Sequence, residues 1–417
     1  MESRQQRFER LQFAMNEIVF HDPALSFFDL IEGKRDVFRG FKIIYSTNNM
    51  EGDFAKTSLK SIEEDCPVLK KYFYGTGLLF FSDELYDRTW KEGKIKIPLD
   101  YSLSLDSNAA ERFRVWEDGK SLDGSVDDFD KLVRFIKEGE DSGFNFDYSF
   151  FIIENYYDSL KEENHRPFNT IRALKRFDHL VYNKEIFDVN NPHFNEDRLS
   201  AGRRAIETLH DFHSSPETIK FQERRMLLYV VLLKAVILRH NNQSTEQKKM
   251  AELILFCLEY LGKFAKTELY FAWKLLKYGS ELRFFDSVRQ IDKKTIHKIK
   301  GMSWDIFALR YQETLASKGD GGDFFIPFFA SFDNRFVELA KACPIRAVLL
   351  DEKCQNVITI QLDEKEFQID LHKSLTPEVQ NRLSDTTLKL QRIQKPIELK
   401  KLNVIANSLE DELKAHC

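Results

Sequence analysis

The stretch FFIPFFASFDNRF, residues 324–336, decides the fold. An apolar run follows a glycine-rich turn, GDGGD at 319–323, and ends at Ser331, Phe332 and Asp333. A run of this length bounded by glycine reads as a buried strand. In open α/β sheets, ligands bind outside the carboxyl ends of strands, so a carboxylate there is a candidate functional group. Asp333 equally reads as the N-cap of the next helix, FVELAKAC at 336–343, which leads into a further strand, IRAVLL at 345–350.

Three other segments present one carboxylate each. In IKIPLDYSLSLDSNAAERFRVW, 95–116, alternating apolar residues lead to Leu105, Asp106, Ser107 and Asn108, and a helix starts at AAERFRVW. NFDYSFFIIENYYDSLKEE, 145–163, is apolar with Glu154 in its middle, and Asp147 and Asp158 are alternatives to that acid. GMSWDIFALRYQETLASKG, 301–319, is predicted as a helix whose first turn holds Asp305, where a carboxylate complements the helix dipole. Each acid alone has a structural explanation: Asp106 as an N-cap, Asp305 as a dipole partner, Glu154 as part of a solvated helix face.

The remainder of the chain divides by pattern. Residues 1–94 read as an N-terminal α/β extension: a leading helix, a strand at FKIIYSTNN (41–49), a helix at KSIEEDCPVLKKYF, and a strand at GLLFFSDELYD running into a polar turn. SVDDFDKLVRFIKEGEDSG is an amphipathic helix with a glycine stop, and completes a first core part, 95–164. Residues 165–300 show helical spacing throughout, from IRALKRFDHLVYN to ELYFAWKLLKYGSELRFFDSVRQI, and are predicted as an all-helical insertion. A second core part spans 301–350. In the last part, 351–417, NVITIQLDEKEFQIDL reads as a hairpin around Asp363 and Glu364, followed by helices.

Composition bounds the function. The 417 residues are 42% hydrophobic and 31% charged, which is globular. The formal net charge of −5 means that any nucleic-acid binding must come from a local patch. Most of the 37 phenylalanines are expected in the core. Cys66, Cys257, Cys343, Cys354 and Cys417 form no C-x-x-C pair and are odd in number, which argues against a disulfide framework or zinc ribbon and for a reducing compartment. The charged N-terminus lacks a signal-peptide core, and MLLYVVLLKAVIL (226–238) is interrupted by Lys234 and too short to span a bilayer. A soluble, cytoplasmic protein without membrane insertion is expected.

Carboxylates gathered from four segments repel one another unless a cation neutralises them. Oxygen-only donors suit Mg²⁺ or Mn²⁺, and such an ion can activate water and stabilise charge on a phosphodiester. LDSN after a strand, a single Glu on a following apolar segment, Asp near a helix start, and S-x-D-x-x-F after a strand together resemble the PIN-domain nucleases, the ribonucleases common among toxin–antitoxin effectors. Asp106, Ser107 and Asn108 match the family's first acidic turn. Ser331, Asp333 and Phe336 match its late one.

The resemblance covers about 95–160 and 300–350. It implies a three-layer PIN-like α/β core with a central parallel sheet. It also implies Asp106, Glu154, Asp305 and Asp333 as metal-binding catalytic acids, with Ser107, Asn108, Ser331 and Asn334 as their polar supports. The expected activity is endoribonuclease, with RNA favoured over DNA, in a toxin or phage-defence effector. Arg112, Arg114, Arg310 and Arg335 flank the acids and are candidates to hold phosphates. The helical insertion departs from the compact family pattern and leaves room for a regulatory or ATPase partner protein, or a homo-oligomer.

Two rival expectations stand beside this one. RRAIETLH (203–210) has Arg204 and His210 at the spacing of the metal-independent HEPN ribonucleases, and RALKRFDH (172–179) has a similar spacing. A non-catalytic sensor or scaffold on a nuclease-like frame is the other. HDFH (210–213) does not reach a zinc pattern, and neither a serine-hydrolase elbow nor a P-loop occurs.

Overall fold

A computed structural model describes residues 2–51, 55–92, 97–122, 124–140, 144–241, 243–316, 322–353 and 356–415. Most of the GDGGD turn, the glycine stop at 143, Cys354 and Cys417 lie outside them. Among the described residues nine strands form two sheets: β1 (Lys42–Thr47), β2 (Ala55–Ser58), β3 (Leu69–Lys71), β4 (Gly77–Phe81), β5 (Leu99–Leu105), β6 (Phe144–Asp147), β7 (Phe324–Ala330), β8 (Ile345–Asp351) and β9 (Asn356–Gln361). The chain is mixed α/β, as expected.

The sheet that carries the candidate acids has the order β3-β7-β5-β6. β5 runs parallel to both β6 and β7, and β3 pairs antiparallel with β7. All seven residues of β7 are buried. β3 reaches only Phe328, so at Pro327 that side of β7 is an edge, where a residue without an N–H is tolerated. Alternate residues serve opposite faces. Phe328 lies near Tyr101 and Phe144, and Phe144 meets Phe135 of the helix Val126–Glu140. Phe329 meets Phe150 and stacks on Phe336 at 4.7 Å.

The second sheet, β2-β4-β1-β8-β9, is antiparallel throughout. Ile43, Tyr45, Leu79, Phe81, Ala347 and Leu349 line one face and pack on the N-terminal helix Arg4–Phe20. Ile44, Leu78, Phe80, Val348 and Leu350 turn the other way, into the large core that includes the first sheet. Phe80 joins the sheets through Phe324, with ring centroids 4.9 Å apart.

Several expectations are corrected here. IRAVLL, expected as a strand of the second core part, forms β8 but pairs with β1 of the N-terminal region and not with the acid-bearing sheet. The sheet of the candidate acids is therefore not purely parallel, since β3 comes from the same N-terminal region and runs antiparallel. The expected hairpin at 356–371 is β9 followed by the helix Glu364–Ser374, because Phe367 and Leu371 recur at helical spacing and are buried together. SDELYD is not a turn but opens the helix Asp83–Glu92. The helix of Asp305 runs Thr295–Ala316, so Asp305 lies in its interior and is no dipole partner.

The block 165–300 is helical, with its long helix Pro216–His240 buried along most of its length. It is anchored to the sheet through Glu117 at the end of the helix Ser107–Glu117. That carboxylate is buried and accepts from Arg176 Nη1 at 2.6 Å, Arg198 Nε at 2.7 Å and Arg172 Nη2 at 3.2 Å. Cys66, Cys257 and Cys343 are free and buried. Among the described residues no helix is long and apolar enough to cross a membrane. Removing one partner of a buried ion-pair cluster strands the others, at roughly 3–5 kcal/mol. Glu117→Ala is therefore expected to lower the unfolding free energy by about 3 kcal/mol in a urea titration, and a loss below about 1 kcal/mol would show that water already solvates the three arginines.

Candidate active site

Parallel pairing sets the geometry. Leu99 is registered with Phe324 and Leu105 with Ala330, so β5 and β7 end level. The Asp106 N–H extends the ladder to the Ala330 carbonyl at 3.2 Å, and the Ser331 N–H bonds Val68 O at 3.1 Å. The side chains at the two strand ends then meet: Ser331 Oγ donates to Asp106 Oδ2. Asp106 Oδ1 accepts the Ala109 N–H at 2.5 Å and so caps the helix Ser107–Glu117. The capping and functional readings of Asp106 coexist, one on each oxygen.

Ser331 Oγ also accepts the Asp333 N–H at 3.1 Å. Asp333 Oδ1 in turn accepts the Arg335 N–H at 2.8 Å, but the N-cap position of the helix Arg335–Ala342 is Asn334, not Asp333 as expected. Its side chain is exposed. Arg335 Nη2 lies 2.9 Å from Asp305 Oδ2, yet no directed hydrogen bond reaches that buried oxygen. One arginine thus links two acids, Asp333 through its backbone and Asp305 through its charge.

Glu154 ends the short helix Ser149–Glu154 that follows β6. Ser107 Oγ donates to Glu154 Oε2 at 2.5 Å and accepts from Asn155 Nδ2 at 2.8 Å. Gln222 of the long insertion helix donates from Nε2 to Ile153 O at 2.6 Å. The alternatives to Glu154 are otherwise engaged. Asp147 accepts from Tyr311 Oη at 2.7 Å and from the Ser149 N–H at 2.8 Å, and exposed Asp158 pairs with Lys161.

The acids feel one another. Burial pushes the Asp106 carboxyl up to about 6, with the charges of Asp333 and Asp305 adding to the rise and the hydrogen bond from Ser331 opposing it. Burial pushes Glu154 up to about 7, helped by Asp106 and Asp305 and opposed by Ser107. Asp305 rises to about 6 through burial, with Arg335 opposing and Asp333 adding to the rise. All four predicted acids therefore share one electrostatic neighbourhood.

Whether a divalent cation suits this neighbourhood follows from the donor set. It is oxygen-only, the Arg335 guanidinium is paired to Asp305 alone of the four acids among the described residues, and Asp305 keeps a buried oxygen without a directed donor. That chemistry fits Mg²⁺ or Mn²⁺. Among the described residues no three His, Cys, Asp or Glu side chains already stand at ligating positions, so holding an ion requires the carboxylates to turn inward.

The other predicted residues divide. Ser107 and Ser331 are the expected supports. Asn108 is exposed, and Asn334 makes no side-chain cap bond. Arg310 is held by Glu313 and Thr267 near Glu268, away from the acids. Arg112 donates to Leu122 O and Ser125 Oγ and stacks over Phe332 at 4.2 Å. Arg114 has a buried Nε without a hydrogen bond. Arg204 is engaged by Glu196 and Lys175 O while His210 is exposed on the same helix, so the HEPN pair is not assembled. In RALKRFDH, Arg172 and Arg176 belong to the Glu117 cluster. Asn155 and Gln222 escaped notice in the sequence; the run of polar and aromatic residues after Glu154 was the only local signal for the first.

No protein-family model, curated protein or solved structure matches this chain. Its chemistry also has a thermodynamic signature. Between the ordinary carboxylate pKa, roughly 4, and about 7, the folded state holds protons that the unfolded chain has released, so stability falls as pH rises across that window. Glu154→Gln removes one such group while still accepting from Ser107. Its melting temperature is expected to exceed that of the unaltered protein at pH 8 and to converge with it at pH 4. Equal melting temperatures at both pH values would put the Glu154 carboxylate in water.

Proposed function

We propose that this chain is a metal-dependent endonuclease, with RNA preferred over DNA, acting through Asp106, Glu154, Asp305 and Asp333. The observation that carries the proposal is that burial and neighbouring carboxylate charge raise Asp106, Glu154 and Asp305 together, around the level ends of β5 and β7, with Asp333 acting on Asp106 and Asp305. Natural structures hold charge together against its own repulsion where a cation or a reaction uses it. The four acids would hold Mg²⁺ or Mn²⁺, which when bound supplies a nucleophilic water at neutral pH and neutralises charge growing on the phosphate.

The chain's own residues do the rest. Ser331 fixes Asp106, and Ser107 with Asn155 fixes Glu154, so each ligand is aimed by a neighbour. Arg335 is half exposed and can exchange Asp305 for a substrate phosphate as the acids acquire another cation. In-line attack on phosphorus breaks the bond to the 3′ oxygen, leaving 5′-phosphate and 3′-hydroxyl ends. The toxin or phage-defence role rests on the family resemblance alone, and a regulatory partner on the helical insertion that departs from the family pattern.

A second reading has its own observation. Arg335 already neutralises Asp305, which suits a non-catalytic sensor on a nuclease-like frame. Cleavage of pooled RNA and single-stranded DNA with Mn²⁺, Mg²⁺ or EDTA separates the two. The nuclease predicts cleavage that EDTA abolishes and that Asp106→Asn and Asp333→Asn both lose, with Ser331→Ala slower by about 10–100-fold. Cleavage that persists in EDTA and in both Asn variants would remove the four-acid site. A folded protein that cleaves nothing would favour the sensor.

A further inference from the structure

The helical insertion brings a charge to this site that no acid answers. Arg225 lies on the helix Pro216–His240 and is only 8% exposed. Its guanidinium sits 4.9 Å from the ring centroid of Trp304 and 5.9 Å from that of Tyr229. Among the described residues no ion pair or hydrogen bond reaches it, and its Nε is buried without a partner. Glu410, beyond Tyr229, is already held by Tyr229 Oη at 2.6 Å and Lys300 Nζ at 3.0 Å. A buried guanidinium without an anion is a costly arrangement that proteins rarely keep without use.

Two contacts tie this turn of the helix to residues adjacent to the acids. Trp304, which it covers, precedes Asp305. Gln222, one helical turn before it on the same face, bonds the carbonyl of Ile153, which precedes Glu154. Tyr157, three residues after Glu154, acts electrostatically on Arg225 and is 46% exposed. The charges acting on Asp305 are those of Arg335 and Asp333, not of Arg225. Arg225 thus packs on the residue next to Asp305, and its charge is not what neutralises that acid.

Resting on the nuclease proposal, we infer that Arg225 is a substrate-binding residue of the same site, taking a non-bridging oxygen of the nucleic-acid phosphate backbone. The insertion then completes the site: the sheet supplies acids for the metal and the long helix supplies the cation for the strand. A planar guanidinium held on an indole is pre-organised for phosphate.

The test is binding in EDTA, where cleavage is silent. Anisotropy of fluorescein-labelled oligouridine and oligothymidine is titrated at several salt concentrations with the full chain, Arg225→Met, Arg225→Lys and Arg203→Met, the last removing an exposed charge from the same insertion. Arg225→Met is expected to bind about tenfold more weakly, with a salt slope lower by about 0.7, the loss of one phosphate contact on a single strand. Arg203→Met changes neither. Folded Arg225→Met with unaltered affinity and slope overturns the inference. If Arg225→Met does not fold, Arg225→Lys decides: severalfold weaker binding at an unchanged slope supports a fork-specific contact, and unaltered affinity overturns it. Unaltered binding by the Arg225 variants in a protein that cleaves with Mn²⁺ sinks only Arg225. An unaltered chain that neither binds nor cleaves sinks the nuclease proposal and this one together.

Discussion

The parallel register of β5 on β7 is the constraint from which the candidate site follows. Because Leu105 pairs with Ala330, the residues just beyond them are neighbours, and Ser331 bonds Asp106 across the strand ends. A slip by one residue would turn every side chain of β7 to the opposite face and bury the wrong phenylalanines. Phe328 against Tyr101 and Phe144, and Phe329 against Phe150 and Phe336, hold the register from both sides. Hydrophobic packing along the strands therefore fixes the position of charge at their ends.

That charge is in an unfavourable place, and the surrounding groups are arranged around the fact. Burial raises three of the carboxyls, and like charge raises them further. Hydroxyl donors answer part of it, Ser331 at Asp106 and Ser107 at Glu154, and Arg335 answers another part at Asp305. A core selected only for stability would hold fewer buried acids so close together.

The helical insertion is built into this arrangement. Helix Ser107–Glu117 is capped by Asp106 at one end and held by three insertion arginines at the other, so the same helix connects the acids to the block. Gln222 and Arg225 of the long insertion helix reach the residues next to Glu154 and Asp305, Ile153 and Trp304.

Local pattern in the chain determined the mixed α/β class, the helical block, the strands β5 and β7, and the polar turns LDSN and SFDNRF, because burial alternation and turn chemistry are properties of neighbouring residues. It misplaced what depends on distant partners. IRAVLL looked like any buried strand, and only the backbone donors offered by β1 settled which sheet it joined. EFQIDL alternates well enough for a strand, and only the pocket waiting for Phe367 and Leu371 made it a helix. Asp305 was visible as an acid, but its position inside a long helix and its pairing with Arg335 were not. Arg225 looked like one of many insertion charges until folding put Trp304 beneath it and no carboxylate beside it. Sequence determines which groups are available, since that depends on residue type and local periodicity. Tertiary structure alone decides which charges go unanswered, since that depends on every element packed around them.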